Sequence, residues 1–359
     1  MTESPLLTPG SSRSRRAASR RRRKRAIVIC SLIVALAAVA AVALAMGSFN
    51  AHGHSRRSSQ LPTTPRHPVT LPQGDRSRLG LPLGAPQLLL TLADQRESVQ
   101  APFHHPPSAG LLFNLETGRV LWARQPTRVL PIASLAKMMT ALLVVRSRRS
   151  DEQVLITRHA INAAGSKVGL LPLHKHVPLE TLLYGLLLPS GNDAAVALAE
   201  NLAGSVPHFV SKMNAEAAKL GLGCTRYTSP DGLDNGNSSC AADLAELAHV
   251  DLDQPRLAAI TGSASAIRPF PIKGGKLYLY NNNPLLRYGY PGATGLKTGE
   301  TEAAGLCLVG TAERHGVKLG VVLLHSPELG RQAAYLLNRG FEGVYHQAPI
   351  PEPPIPAGR

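Results

Sequence analysis

Apolar positions along this chain follow two periods, and the switch between them divides it into parts. Residues 110–114 and 119–123 are short apolar runs joined by Leu115-Glu116-Thr117-Gly118, a β-hairpin signature. From Pro178 the period lengthens. Leu179, Leu182, Leu183, Leu186 and Leu187 keep the i, i+3, i+4, i+7 spacing of one helix face, with the proline at the helix start. Residues 194–202 and 209–220 continue as helices. Strand-like runs return at 305–311 and 317–324, joined by Glu313-Arg314-His315-Gly316, and an amphipathic helix over 329–341 closes the pattern. This order predicts an α/β (α+β) fold, in which an antiparallel sheet built from both ends of the domain is flanked by helices and an all-helical lobe is inserted between.

The first hundred residues read differently. Residues 26–46 form a run of 21 positions without charge, Gly or Pro, about 30 Å of helix and one hydrocarbon thickness. Residues 1–25 hold nine Lys and Arg against the single acid Glu3. By the positive-inside rule this basic arm stays cytoplasmic, and everything after the apolar run is exported. Ala43-Leu44-Ala45 offers a small-residue cleavage site, so a signal peptide that releases a secreted head is the alternative. The run exceeds the apolar core of a signal peptide, about 7–15 residues, and a retained N-terminal transmembrane helix is expected. Residues 47–105 are rich in Pro, Ser, His and Arg, with only 88–92 resembling a packed segment. As a flexible linker they would span roughly 45 Å. The globular domain is expected over 106–346, followed by a Pro-rich disordered tail over 347–359.

Charge narrows the function further. The formal net charge is +16, and about half of it lies in the basic arm. A nucleic-acid-binding domain would need a basic face on the folded part as well, so no nucleic-acid partner is expected. Neither a metal nor another cofactor is expected. Five histidines scatter through the linker, and His174 and His176 lack the H-E-x-x-H partner of a zinc site. Of the four cysteines, Cys30 lies in the apolar run, and Cys307 reads as a small core residue. Cys224 and Cys240 flank a turn-rich loop and could bridge in an oxidising compartment, with two free thiols as the alternative.

Three short strings carry the chemistry: Ser134-Leu135-Ala136-Lys137, Ser190-Gly191-Asn192 and Lys297-Thr298-Gly299. A hydroxyl needs a base to become a nucleophile, and a lysine three residues on along a helix shares its face. Leu135, Met138, Met139, Leu142 and Leu143 form the apolar stripe that buries this helix. Desolvation among them lowers the lysine pKa towards neutrality. Each string alone is ordinary. Ser134 could cap a helix, Asn192 could cap the helix that starts near Asp193, and Lys297 could open a strand. The ordered set points to acyl transfer through a serine.

The motifs and their surroundings resemble the S-x-x-K serine peptidases of the low-molecular-mass penicillin-binding proteins, specifically the D-alanyl-D-alanine carboxypeptidases. Similar strings fall at Leu130-Pro131-Ile132-Ala133-Ser134, Gly165-Ser166-Lys167-Val168-Gly169, Ser229-Pro230-Asp231-Gly232-Leu233 and Gly295-Leu296-Lys297-Thr298-Gly299. The resemblance implies a β-lactamase/transpeptidase-like fold. It makes Ser134 the acylated nucleophile, Lys137 its base, Ser190 a proton relay and Asn192 a substrate contact. Lys297, Thr298 and Gly299 would bind the terminal carboxylate, and the backbone N–H groups of Ser134 and Glu300 would form the oxyanion hole. Implied partners are peptidoglycan stem peptides ending in D-Ala-D-Ala, with β-lactams as acylating inhibitors, on the outer side of the membrane. A DD-endopeptidase of the same family is the nearer alternative. A serine β-lactamase is the more distant one, since residues 224–240 contain no glutamate to activate water. Glu300 departs from the family, where an aromatic residue or His is common. It either faces the anion pocket or turns to solvent or to Arg314.

Overall fold

β-branched and leucine-rich runs from both ends of the domain meet in one six-stranded sheet. The computed structural model describes residues 90–92, 99–169, 171–272, 274–351 and 354–356. The basic arm, the apolar run 26–46 and most of the linker lie outside the described residues. Among the described residues no helix is long and apolar enough to cross a membrane.

In chain order the early elements are β1 (Thr91–Leu92), β2 (Ala109–Asn114), β3 (Arg119–Arg124) and β4 (Leu130–Pro131), then a 3-10 turn at Ala133–Ala136 and α1 (Lys137–Ser147). The middle holds β5 (Gln153–Leu155), α2 (Arg158–Asn162), β6 (His176–Pro178), α3 (Leu179–Leu187), α4 (Asn192–Ala203), α5 (Val206–Lys219) and β7 (Ser238–Ser239). It continues with α6 (Ala241–Leu252), α7 (Pro255–Thr261), β8 (Ser265–Pro269), β9 (Lys276–Tyr280) and α8 (Pro284–Arg287). The end consists of β10 (Ala293–Thr301), β11 (Gly305–Arg314), β12 (Val317–Leu324) and α9 (Leu329–Asn338), which runs into a π turn at Arg339–Val344.

The sheet order is β1-β3-β2-β12-β11-β10. It is antiparallel except for the parallel pairing of the two-residue β1 with β3. Side chains alternate between its faces as strand geometry requires. Leu111 and Phe113 of β2 and Val322 and Leu324 of β12 join the core shared with α1 and the helical lobe. Leu112, Leu319, Val321 and Leu323 join a second core under α9. Leu135, Met138, Met139 and Leu142 are fully buried, each worth roughly 1.5–3 kcal/mol over exposure.

Three expectations need correction. The inserted lobe is not all-helical, because β5–β6 and β8–β9 form two-stranded ribbons within it. The β8–β9 ribbon was legible as alternation in Lys276-Leu277-Tyr278-Leu279-Tyr280, with Leu279 buried and both tyrosines exposed. The folded part begins before residue 106, since Val99 is buried and its N–H donates to Leu121 O. The described residues of the C-terminal segment are not loose. Ile355 is buried, Arg331 Nε donates to Ile355 O, and Arg314 Nη2 donates to Ala348 O. Proline lowers the cost of ordering such a segment, and two isoleucines supply apolar area for it to bury.

Candidate active site

Three segments converge on Ser134. The first is its own. β4 pairs with β7 and delivers the chain into the 3-10 turn, where three residues complete a turn and positions i and i+3 eclipse. Ser134 and Lys137 are therefore stacked more directly than an α-helix would stack them. Lys137 is fully buried, and its Nζ lies 2.8 Å from Ser134 Oγ, 2.7 Å from Asn192 Oδ1 and 2.5 Å from Asp231 O. Burial lowers its pKa to about 7, against the opposing pull of the Asp231 and Asp193 charges.

This set of neighbours fixes the proton. A neutral amine has two hydrogens and one lone pair. Asn192 Oδ1 and Asp231 O can only accept, so they take the two hydrogens, and the lone pair is left facing the Ser134 hydroxyl.

The second segment joins α3 to α4. Ser190 holds φ at +68°, a left-handed conformation uncommon outside glycine. Asn192 does not cap α4 as its position suggested; it is the first helical residue, and its side chain is occupied elsewhere. Its Oδ1 accepts from Lys137 while its Nδ2 donates to Ala164 O at 2.7 Å. Asp193 Oδ1 accepts from the N–H groups of Val168 and Ala194, both at 2.9 Å. Burial pushes the Asp193 carboxyl up. Together the two side chains grip residues 164–168 and set Ser166 on the cleft wall.

The third segment is β10, the edge strand of the sheet. Lys297 is buried, with Nζ 2.9 Å from Ser190 Oγ and 2.8 Å from Thr298 O. Burial and then the charge of Lys137 hold its pKa well below the usual lysine value. Gly299 is required by close approach: a Cβ there would sit 2.9 Å from Ile132 O and 3.0 Å from Ser134 N. β10 thus lies directly against the nucleophile turn, with the Ser134 N–H beside its open edge.

A cleft of about 510 Å³ opens over these groups. Ser134, Ser190, Thr298 and Gly299 line it, and Glu300 is its only carboxylate among the described lining residues. Glu300 does not pair with Arg314. β11 pairs Leu306 with Glu300 at one end and carries Arg314 at the other, where the guanidinium lies over Phe341. Sequence reasoning missed Ser166, Asn282, Arg287 and Tyr288 on the cleft wall. The cluster Asn281-Asn282-Asn283-Pro284 was a readable turn signal. It also missed the Asp231 carbonyl, which has no residue-type signature.

Cys224 and Cys240 are disulfide-bonded, with Cα atoms 5.6 Å apart, and close the loop that carries Asp231. Cys307 is buried in β11, its thiol pushed up to about 11 by burial. His174 and His176 are both exposed, away from the cleft lining.

A serine with an eclipsed, desolvated lysine base, set between an antiparallel sheet edge and a helical lobe, defines an active-serine acyl-transfer enzyme of the S-x-x-K type. The model of the peptidase S11 family, D-alanyl-D-alanine carboxypeptidase, matches residues 95–328, and the chain belongs to that family. D-alanyl-D-alanine carboxypeptidase DacF of Bacillus subtilis is 34% identical over 247 residues, 66% of this chain and 62% of the Bacillus protein. A D-alanyl-D-alanine endopeptidase of Pseudomonas aeruginosa is 34% identical over 57% of this chain and 70% of its own. The crystal structure of a D-alanyl-D-alanine carboxypeptidase from Mycobacterium tuberculosis H37Rv superposes with a TM-score of 0.63 at 35% identity, covering 68% of this chain and 94% of that one.

Proposed function

We propose that the chain is a serine-type D-alanyl-D-alanine carboxypeptidase acting on peptidoglycan stem peptides. The observation that carries this reading is the buried Lys137 amine, with Nζ 2.8 Å from Ser134 Oγ and its two other contacts made to oxygens that cannot donate. Ser134 Oγ attacks the carbonyl carbon of the penultimate D-alanine as its proton passes to Lys137 Nζ. The N–H groups of Ser134 and Glu300 hold the oxyanion. The C–N bond then breaks, and the terminal D-alanine leaves as an amine, protonated through Ser190 Oγ. Water attacks the acyl-serine, Lys137 again takes the proton, and the shortened peptide departs. A β-lactam acylates Ser134 in the same way, with its amine still tethered.

Asn192 was expected to hold a substrate amide, but its Oδ1 is engaged by Lys137 and its Nδ2 by Ala164 O, so its part is to position the Lys137 amine and the cleft wall at residues 164–168. Lys297 was expected to bind the terminal carboxylate, but its Nζ rests on Ser190 and it does not line the cleft. Its part is therefore on the proton path, and the carboxylate falls to the Thr298 hydroxyl and Arg287. The guanidinium of Arg287 lies 5.8 Å from the Tyr288 ring centroid. Endopeptidase work on cross-links uses the same groups, and the similarity to the Pseudomonas aeruginosa endopeptidase supports it as a second activity.

The head is placed outside the cytoplasm by residues 26–46 acting as a single-pass anchor, with the basic arm 1–25 inside. Carbonate-washed membranes should retain the chain; a soluble product starting near Met46 would make the segment a signal peptide. The activity itself is tested by mass spectrometry after exposure to a penicillin. One covalent adduct on the Ser134 peptide is expected. Ser134→Ala should abolish both the adduct and D-alanine release, and residual turnover above roughly one thousandth of wild type would overturn the assignment.

A further inference from the structure

The β8–β9 ribbon carries a concentrated exposed apolar surface. Eight large apolar side chains among the described residues are strongly exposed, and four of them lie on this one hairpin: Ile267 (58%), Ile272 (44%), Tyr278 (58%) and Tyr280 (67%). Exposed apolar residues scattered singly need no explanation, whereas a cluster marks an interaction surface.

The register places three of them on one face. Ile267 pairs with Tyr278, Ser265 with Tyr280 and Pro269 with Lys276, so Ile267, Tyr278 and Tyr280 project together, and among the described strand positions of that face Lys276 is the one charge. The opposite face is fully engaged with the lobe. Leu279 is buried, the Arg268 guanidinium lies 4.4 Å from the Tyr184 ring centroid, and Thr181 Oγ1 donates to Pro269 O at 2.8 Å. The outward face is thus a rigid surface rather than displaced core.

Position and chemistry indicate what it takes. β9 runs through Asn281 into Asn282, which lines the cleft and donates from Nδ2 to Pro189 O beside Ser190. Two residues of extended chain, about 7 Å, join Tyr280 to the cleft wall. Two tyrosines on alternate positions of one strand offer flat π faces with a hydroxyl at each tip, suited to the apolar faces and polar rims of sugar rings. With one lysine among its described strand positions, the face lacks the basic cluster that draws a protein to an anionic bilayer.

We propose that Ile267, Tyr278 and Tyr280 form a saccharide platform that holds the glycan strand to which the stem peptide in the cleft is attached. This rests on the peptidase reading of the cleft.

The test compares two substrates with wild type and Tyr278→Ala/Tyr280→Ala in the full chain: a free pentapeptide ending in D-Ala-D-Ala, and the same peptide on uncross-linked glycan strands. The double variant should keep its penicillin adduct and its kcat/KM on the free peptide. On the glycan-linked substrate it should lose roughly tenfold, through KM, as expected for two lost stacking contacts. Tyr278→Trp/Tyr280→Trp should preserve the preference. Calorimetry of Ser134→Ala protein with peptide-free glycan strands reads the platform without turnover, so binding there while the wild-type enzyme hydrolyses neither substrate would sink the peptidase reading alone. Equal losses on both substrates, or none on either, would overturn the platform. So would a double variant that instead loses binding to vesicles containing anionic lipid, or loses a dimer seen by sedimentation.

Discussion

Acylation should follow the protonation of Lys137, and Asp193 should set where. Burial takes this amine from 10.5 to about 7. At pH 7 that raises the neutral fraction from roughly one in three thousand to about one half, a gain of order a thousandfold in available base. The second-order rate of acylation by a fluorescent penicillin should therefore rise about tenfold from pH 6 to pH 8 and flatten above, at constant ionic strength. The charge of Asp193 raises the Lys137 pKa. Asp193→Asn keeps the oxygen that accepts from Val168 and Ala194 but removes the charge, so the limb should move to lower pH. The Asp193 charge is not a cause of the Lys297 shift, so this displacement assigns the limb to Lys137 rather than to its neighbour. A rate that is flat from pH 5 to pH 9, or a limb that Asp193→Asn leaves in place, would refute Lys137 as the base.

Lys297→Ala should reduce D-alanine release from a free-acid peptide and ester cleavage on a neutral-tailed analogue by similar factors; a loss confined to the free acid would restore Lys297 as the carboxylate anchor. Arg287→Gln should instead raise KM for the free acid about tenfold and leave the neutral-tailed ester unchanged, a split read from initial rates. Glu300→Gln removes a like charge from the same cleft, so KM for the free acid should fall while the ester rate stays put; no change in KM would leave only the backbone N–H of Glu300 in the mechanism. Gly232 holds φ at +79°, and a Cβ there would sit 1.9 Å from Ala133 O. Gly232→Ala should therefore displace the nucleophile turn, cutting penicillin acylation at least a hundredfold and lowering the melting temperature by several degrees.

The features legible in the sequence were those written in residue types. Helical spacing placed α3 at Leu179–Leu187, and the three motifs named the side chains that meet around Ser134. Features carried by backbone atoms stayed hidden. Lys137 is positioned as much by the Asp231 carbonyl as by Asn192, and any residue supplies a carbonyl. Distance along a strand was misjudged at Glu300, because a hairpin brings residues level only across its ladder, and Arg314 lies at the far end of β11. The cysteine pair stayed open because sequence separation does not determine whether two Cα atoms approach to 5.6 Å.

The strand order has a consequence for how this molecule is made. β2 is among the first strands synthesised, yet its partner on one side is β12, so that Leu111 lies opposite Val322. The edge strand against which Ser134 sits reaches β2 only through β11 and β12. The nucleophile turn is therefore translated early and completed late. A nascent chain that has yet to deliver residues 305–324 has the serine and its lysine but no sheet to set them against. Topologies dominated by such distant pairings fold slowly. The enzyme gains its chemistry only as its last strands arrive, and an incomplete chain is chemically silent.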